Sequence, residues 1–196
     1  MKTSRRQDTV PKIIENPQAI ILEHARKILD ADGYGALNMR AIAKSCGIAT
    51  GTIYNYFPTK RHLLLQMMTN YWDTHFVCID KTTASDEELL AKLKKVFDIM
   101  EAFVLCFRDV WVSMRSENES ICTHEHIPPG HDYLQRLAEK VELILIIEEK
   151  RDPTALNYPL AARDMANFIV QNYFIICQMR SLPYSSLETL LLKVLQ

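Results

Sequence analysis

Apolar residues along this chain recur three and four positions apart, the period of amphipathic helices, and no stretch shows the strict alternation of a half-buried strand. Asn16-Pro17 opens a first helix with Ile21, Ala25, Ile28 and Leu29 on one face. Two short helices follow within residues 38–57, and a fourth runs over about 60–80. Ser85-x-x-Glu88 has the form of a capping box and predicts the start of a fifth helix. Leu89, Leu93, Val96, Phe97, Met100 and Phe103 carry its helical spacing, and a break into a sixth helix is expected somewhere in 103–115. Residues 116–131 read as a polar loop. A seventh helix covers about 131–150, and Asn157 or Tyr158 with Pro159 opens an eighth, to about Ser181. Ser185-x-x-Glu188, a second capping box, opens a ninth. The expectation is an all-α chain of about nine helices.

The densest information lies in residues 37–60, LNMRAIAKSCGIATGTIYNYFPTK. Asn38 suits a helix N-cap, and Ile42, Ala43 and Cys46 fall on one apolar face behind it. Gly47 is where a left-handed residue stops that helix at little cost, and Ile48 plugs the corner. Thr50 is expected to cap a second helix of about two turns, with Ile53 and Phe57 facing inward. The outer face of that helix carries Thr50, Thr52, Tyr54, Asn55 and Tyr56, all able to hydrogen-bond phosphates or base edges. Gly51 leaves room for close approach of a nucleic-acid backbone. Pro58 ends the helix, and Thr59 caps the next, which places Lys60 in its first turn as a phosphate contact. Two short helices around a glycine corner form a helix-turn-helix, which lays its second helix in the DNA major groove.

Residues 21–60 resemble the DNA-binding head of the TetR (tetracycline-repressor) family. The resemblance rests on the Gly33-Tyr34 break, on Met39-Arg40-x-Ile42-Ala43 at the start of the second helix, and on Gly51-Thr52-x-Tyr54-x-Tyr56-Phe57-x-x-Lys60. It implies DNA contacts from Arg40, Ala49, Thr50, Gly51, Thr52, Tyr54, Asn55, Tyr56 and Lys60. It also implies a dimeric regulator, most often a repressor, with an effector pocket in the C-terminal region. One departure is Ala49, where the family usually has Ser or Thr as the cap of the recognition helix. Beyond residue 60 the resemblance extends only to the helical layout.

Charge agrees with this division. The net charge of −1 gives no sign of a nucleic-acid partner, but residues 1–62 hold ten Lys/Arg against five Asp/Glu, and residues 63–196 hold thirteen against nineteen. The reading is a DNA-binding domain over 1–62, with a basic arm of Lys2, Arg5, Arg6 and Lys12, and an effector-binding and dimerisation domain over 63–196. Four of the five glycines sit in the first of these, as expected for a body that is nearly all helix. No signal peptide is expected, because the leader is charged and has no apolar centre. No apolar run is as long as a membrane span, the longest near one being 141–147. Five cysteines without a CxxC pair suit isolated buried thiols in a reducing cytoplasm.

The body offers three candidate surfaces. Met100, Phe103, Phe107, Trp111, Met114, Tyr133, Met165 and Tyr173 are the candidate walls of a pocket for a hydrophobic or aromatic effector, with Arg108, Arg115, His131 or Arg163 as anchors for an anion. The last two helices are apolar on more than one face, and Ile169, Phe174, Ile176, Leu187, Leu191 and Leu195 are the candidate homodimer interface. A dimer would read a palindromic operator in double-stranded DNA. Cys122, His124, His126 and His131 share one loop and support an alternative, a metal-sensing regulator, although their spacing matches no zinc pattern. A helical protein-interaction module is the other alternative. No cofactor is expected, and no phosphate loop, nucleophile elbow or metalloprotease motif points to an enzyme.

Overall fold

The computed structural model describes residues 16–117, 133–153, 160–179 and 182–195, without the side chains of residue 111 and residues 113–117. Among the described residues there are eight helices and no strand. The chain divides into two compact units, Met1–Leu63 and Leu64–Gln196.

The first unit holds α1 (Pro17–Asp32), α2 (Met39–Cys46), α3 (Thr50–Tyr56) and the start of α4 (Lys60–Thr83). Asn16 caps α1, its Oδ1 accepting from the Ala19 N–H, and Pro17 takes the first helical position, where a missing N–H costs nothing. Ile21, Leu22, Ala25 and Leu29 form one stripe of α1. Together with Leu37, Met39, Ile42, Ala43, Ile53, Phe57 and Leu63 they make a dry core. These helices are too short to be stable alone, so this shared core is what holds them.

The second unit continues α4 and adds α5 (Leu89–Glu117), α6 (Tyr133–Arg151), α7 (Ala162–Met179) and α8 (Tyr184–Leu195). Its centre is aromatic. Trp72 lies flat on Tyr133, with ring centroids 5.3 Å apart, and packs against Phe103 and Phe76. Phe97 meets Tyr173 edge-on, and the Tyr173 hydroxyl donates to the Leu93 carbonyl. Lys92, only 1% exposed, donates to Glu148 Oε1 at 2.7 Å and so ties α5 to α6.

Several expected boundaries are corrected. The predicted break within 103–115 is absent: α5 is one helix of 29 residues, because 103–117 contain neither Gly nor Pro. Ser85 does not cap α5; its hydroxyl donates to the Thr82 carbonyl, at the end of α4, and α5 begins only after Glu88. Ser185 lies inside α8, not before it. Pro183 sets the start instead, its carbonyl accepting from the Ser186 N–H. The sixth and seventh helices run over Tyr133–Arg151 and Ala162–Met179, and the expected openings at His131 and Asn157–Pro159 lie outside the described residues.

Candidate functional site

The corner between α2 and α3 is built from backbone hydrogen bonds. Asn38 is extended, and its Oδ1 accepts from the Ala41 N–H at 2.9 Å, which starts α2. At the other end Gly47 has φ 69° and ψ 29°, left-handed geometry that strains any residue with a Cβ. Its N–H bonds to the Lys44 carbonyl, and the Ile48 N–H bonds to the Ala43 carbonyl at 3.0 Å. That pair of bonds is the Schellman closure of a helix. The chain then turns straight into α3.

The start of α3 departs from expectation. The cap residue is Ala49, which is extended and makes no side-chain cap bond, and Thr50 is already the first helical residue. The Thr52 N–H is satisfied by the Ala49 carbonyl at 2.9 Å. The corner therefore sets the register, overriding the usual polar preference at the cap. Ile53 and Phe57 are fully buried and anchor the inner face of α3.

The outer face is open. Tyr54 is 49% and Tyr56 37% exposed, and Asn55 and Gly51 are exposed beside them. Thr50 and Thr52 are half-buried. Nothing lies within 4 Å of where a Gly51 Cβ would stand. Arg40 is exposed on α2. Thr59 Oγ1 accepts from the His62 N–H and caps α4, and the Lys60 ammonium sits 3.7 Å above the centre of the Tyr34 ring. This cation–π contact orients the ammonium. Sequence reading did not foresee Tyr34 as its seat. A seven-residue helix with large polar aromatics outward, beside a fixed cation and an exposed arginine, can form hydrogen bonds, stacking contacts and ion pairs with a polyanion. The basic arm of residues 2–12 lies outside the described residues.

Of the predicted pocket walls in the second unit, Met100, Phe103, Phe107, Tyr133, Met165 and Tyr173 are all buried, and Phe103 packs against both Phe107 and Tyr133. Burial pushes the Tyr133 hydroxyl up to about 12 and that of Tyr173 well above its usual value. Trp111 and Met114 lie on α5, and their side chains are outside those described. Trp72 Nε1 is buried without a hydrogen-bond partner, the feature of this core that sequence reading had no means to find.

The predicted dimer residues also separate. Ile169, Leu187, Leu191 and Leu195 are buried within the single chain and are core residues, not surface. Phe174 and Ile176 are half-buried. The apolar residues that α7 and α8 leave in solvent are Phe168, Ile175, Met179, Leu190, Leu192 and Val194. Thiols are less uniformly buried than expected: Cys177 is buried and its pKa is pushed up to about 12 by burial, whereas Cys78 is exposed. The loop with Cys122, His124, His126 and His131 lies outside the described residues. Among those described, no helix is long and apolar enough to cross a membrane.

A cavity of about 580 Å³ opens between α6 and α7. It is lined by Leu134, Gln135 and Ala138 from α6, and by Arg163, Asn167, Val170, Gln171 and Phe174 from α7.

Comparison with known proteins places the corner in a family. Residues 21–67 match the family of bacterial regulatory proteins called tetR. An uncharacterised HTH-type transcriptional regulator of Bacillus subtilis, YuxN, is 28% identical over 114 residues, which is 58% of this chain and 39% of that protein. The HTH-type transcriptional repressor KstR of Rhodococcus jostii is 40% identical over 58 residues, 26% of this chain and 27% of that one. The chain thus spans well under half the length of these curated relatives. The fold extends further: a solved regulator from Saccharomonospora viridis, in complex with choline, superposes with TM-score 0.65 at 16% identity over 89% of this chain and 93% of that one. The tetR match is centred on the α2–α3 corner, so residues 21–67 carry a head of the tetR family, and the all-helical fold is shared with a solved regulator along most of the chain.

Proposed function

We propose that the chain is a DNA-binding transcriptional regulator that responds to a small molecule. The observation that carries this reading is the Schellman-closed corner between α2 and α3, which turns Tyr54, Asn55 and Tyr56 outward on a helix fixed from behind by Ile53 and Phe57. Tyr54, Asn55, Tyr56, Thr50, Thr52 and the Ala49–Gly51 backbone are the proposed readers of the major groove, and Arg40 and Lys60 the proposed phosphate contacts. The proposed assembly is a homodimer on a palindromic operator, joined through the exposed apolar stripe Phe168, Ile175 and Met179 of α7 with Leu190 and Val194 of α8. Matching relatives include a repressor, which supports repression as the sign of regulation.

The proposed switch is a population shift. Helix α4 is one uninterrupted helix whose first residues belong to the first unit and the rest to the second. A ligand that binds better to one conformation of the second unit shifts α4, and DNA affinity changes by the same differential binding energy. The test is selection of fragments from sheared genomic DNA by the purified full chain across a salt series. One enriched palindrome, with affinity falling steeply as salt rises, supports the reading. Retention with no shared motif, or no retention at low salt, overturns it.

A further inference from the structure

Helix α7 presents three faces, each about 120° from the next at 100° per residue. Met165, Ala166, Ile169, Tyr173 and Cys177 face the core. Phe168, Ile175 and Met179 form the exposed apolar stripe. Arg163, Asn167, Val170, Gln171 and Phe174 line the cavity shared with α6. Of this third face Val170 is buried in the core, and the proposed dimer uses none of it.

We propose that the α6–α7 cavity is a binding site for a small apolar monocarboxylate, a molecule with one carboxylate on a ring system or a short hydrocarbon chain. Its volume of about 580 Å³ lies within the range of small-molecule sites. The floor is apolar, with Ala138 and Val170 buried and Leu134 and Phe174 half-buried. Gln135, Asn167 and Gln171 supply carboxamides at the rim.

Arg163 supplies the charge. It stands in the first turn of α7, where a cation gains nothing from the helix dipole. Its one described ion-pair partner is Glu142, at 3.9 Å, the outer limit of such a pair, and the guanidinium is largely exposed. A pair of that kind contributes little, so the guanidinium fork is available to a carboxylate in two-point geometry. The nearby Glu142 carboxylate selects by charge: it repels phosphate esters and dicarboxylates more than a single carboxylate. Identification of this molecule as the effector rests on the regulatory reading above; the site itself does not.

The test uses the full chain and 2-naphthoate, whose own fluorescence reports binding, with 2-naphthamide as the neutral isostere. Expected are one site per chain, at least tenfold weaker binding of the amide, and at least tenfold weaker naphthoate binding to Arg163→Gln. Gln171→Trp, a change at an exposed position that fills the cavity, is expected to abolish binding of both compounds while the circular dichroism spectrum is unchanged. Equal affinity for acid and amide, or unchanged binding by either variant, overturns the site. DNA retention is measured in the same samples. Naphthoate that binds as expected but leaves retention unchanged supports the site and removes its effector role. Absence of DNA retention in every sample overturns the regulatory reading, while the naphthoate titrations still decide the site.

Discussion

Lys92 gives the sharpest test of how the second unit is held. Its ammonium is 1% exposed and bonds Glu148 Oε1 at 2.7 Å, with the Thr83 carbonyl at 3.5 Å. Lys92→Met keeps the length and apolar stem of the side chain but leaves the Glu148 carboxylate, 12% exposed, without its partner. Breaking a buried pair from one side typically costs about 3–5 kcal/mol, because the remaining charge stays desolvated. Here Arg151 Nη1 lies 3.6 Å from Glu148 Oε2, while Arg151 also pairs with Asp86. That second cation lowers the expected cost to the bottom of the range, about 3 kcal/mol. The double variant Lys92→Met/Glu148→Met removes both charges, and its expected cost is under about 1 kcal/mol, since a well-packed apolar pair replaces a buried ionic one at little loss. Urea unfolding is followed by tryptophan fluorescence, which reports this unit because both tryptophans, Trp72 and Trp111, belong to it. A single variant that loses under about 1 kcal/mol, or a double variant as unstable as the single, would refute the desolvation argument.

Three further outcomes are expected. Gly47→Ala meets no atom within 4 Å, so its cost is the left-handed backbone alone, about 1–2 kcal/mol; hydrogen exchange of residues 39–56 should speed up about five- to thirtyfold, and unchanged exchange would contradict the corner geometry. Tyr133 and Tyr184 titrate at about 12 in the fold, against 10 when unfolded, both raised first by burial. A raised acid pKa favours the neutral fold, so this stability is complete below pH 10 and lost as pH rises from 10 through 12; helicity and phenolate absorbance at 295 nm should change together in that window. Ile175→Lys places a charge on the exposed α7 stripe, and light scattering should show monomers with an unchanged helical spectrum; an intact dimer would move the proposed interface elsewhere.

How much of this was legible in the sequence follows from the range of the interactions. The α2–α3 corner could be read because Asn38, Gly47, Ile48, Ile53 and Phe57 act within a few residues of one another, and each has one strong backbone or burial preference. The cap of α3 was misread at Thr50 because the preference for a hydroxyl there is weaker than the register that the corner bonds impose. Lys92 and Glu148 are separated by 56 positions, and nothing local to either marks it as paired. Phe103, Phe107, Tyr133 and Tyr173, assigned to a pocket, are buried, but periodicity gives the direction of a side chain and not whether space remains beside it. The cavity lies instead between α6 and α7, with Ala138 among its lining residues.

In helix α7 apolar content alone does not separate core from surface. Both of its apolar faces read alike in sequence, since Ile169 and Ile175 are the same residue type six positions apart. The structure separates them: Ile169 is buried and Ile175 is half in solvent. A third face, with Arg163, Asn167 and Gln171 interleaved among Val170 and Phe174, is neither apolar enough for a core nor polar enough for a plain solvated surface. Because each face meets a different environment, substitutions on α7 should separate into three classes. Changes at Ile169 should lower stability, changes at Ile175 should alter assembly, and changes at Arg163 should alter carboxylate binding while stability and assembly stay as they were. Where the three faces act independently, these effects should add when combined. A combined variant whose losses were far from additive would mean that the faces are coupled, and the same helix would then transmit the ligand signal to the dimer interface itself.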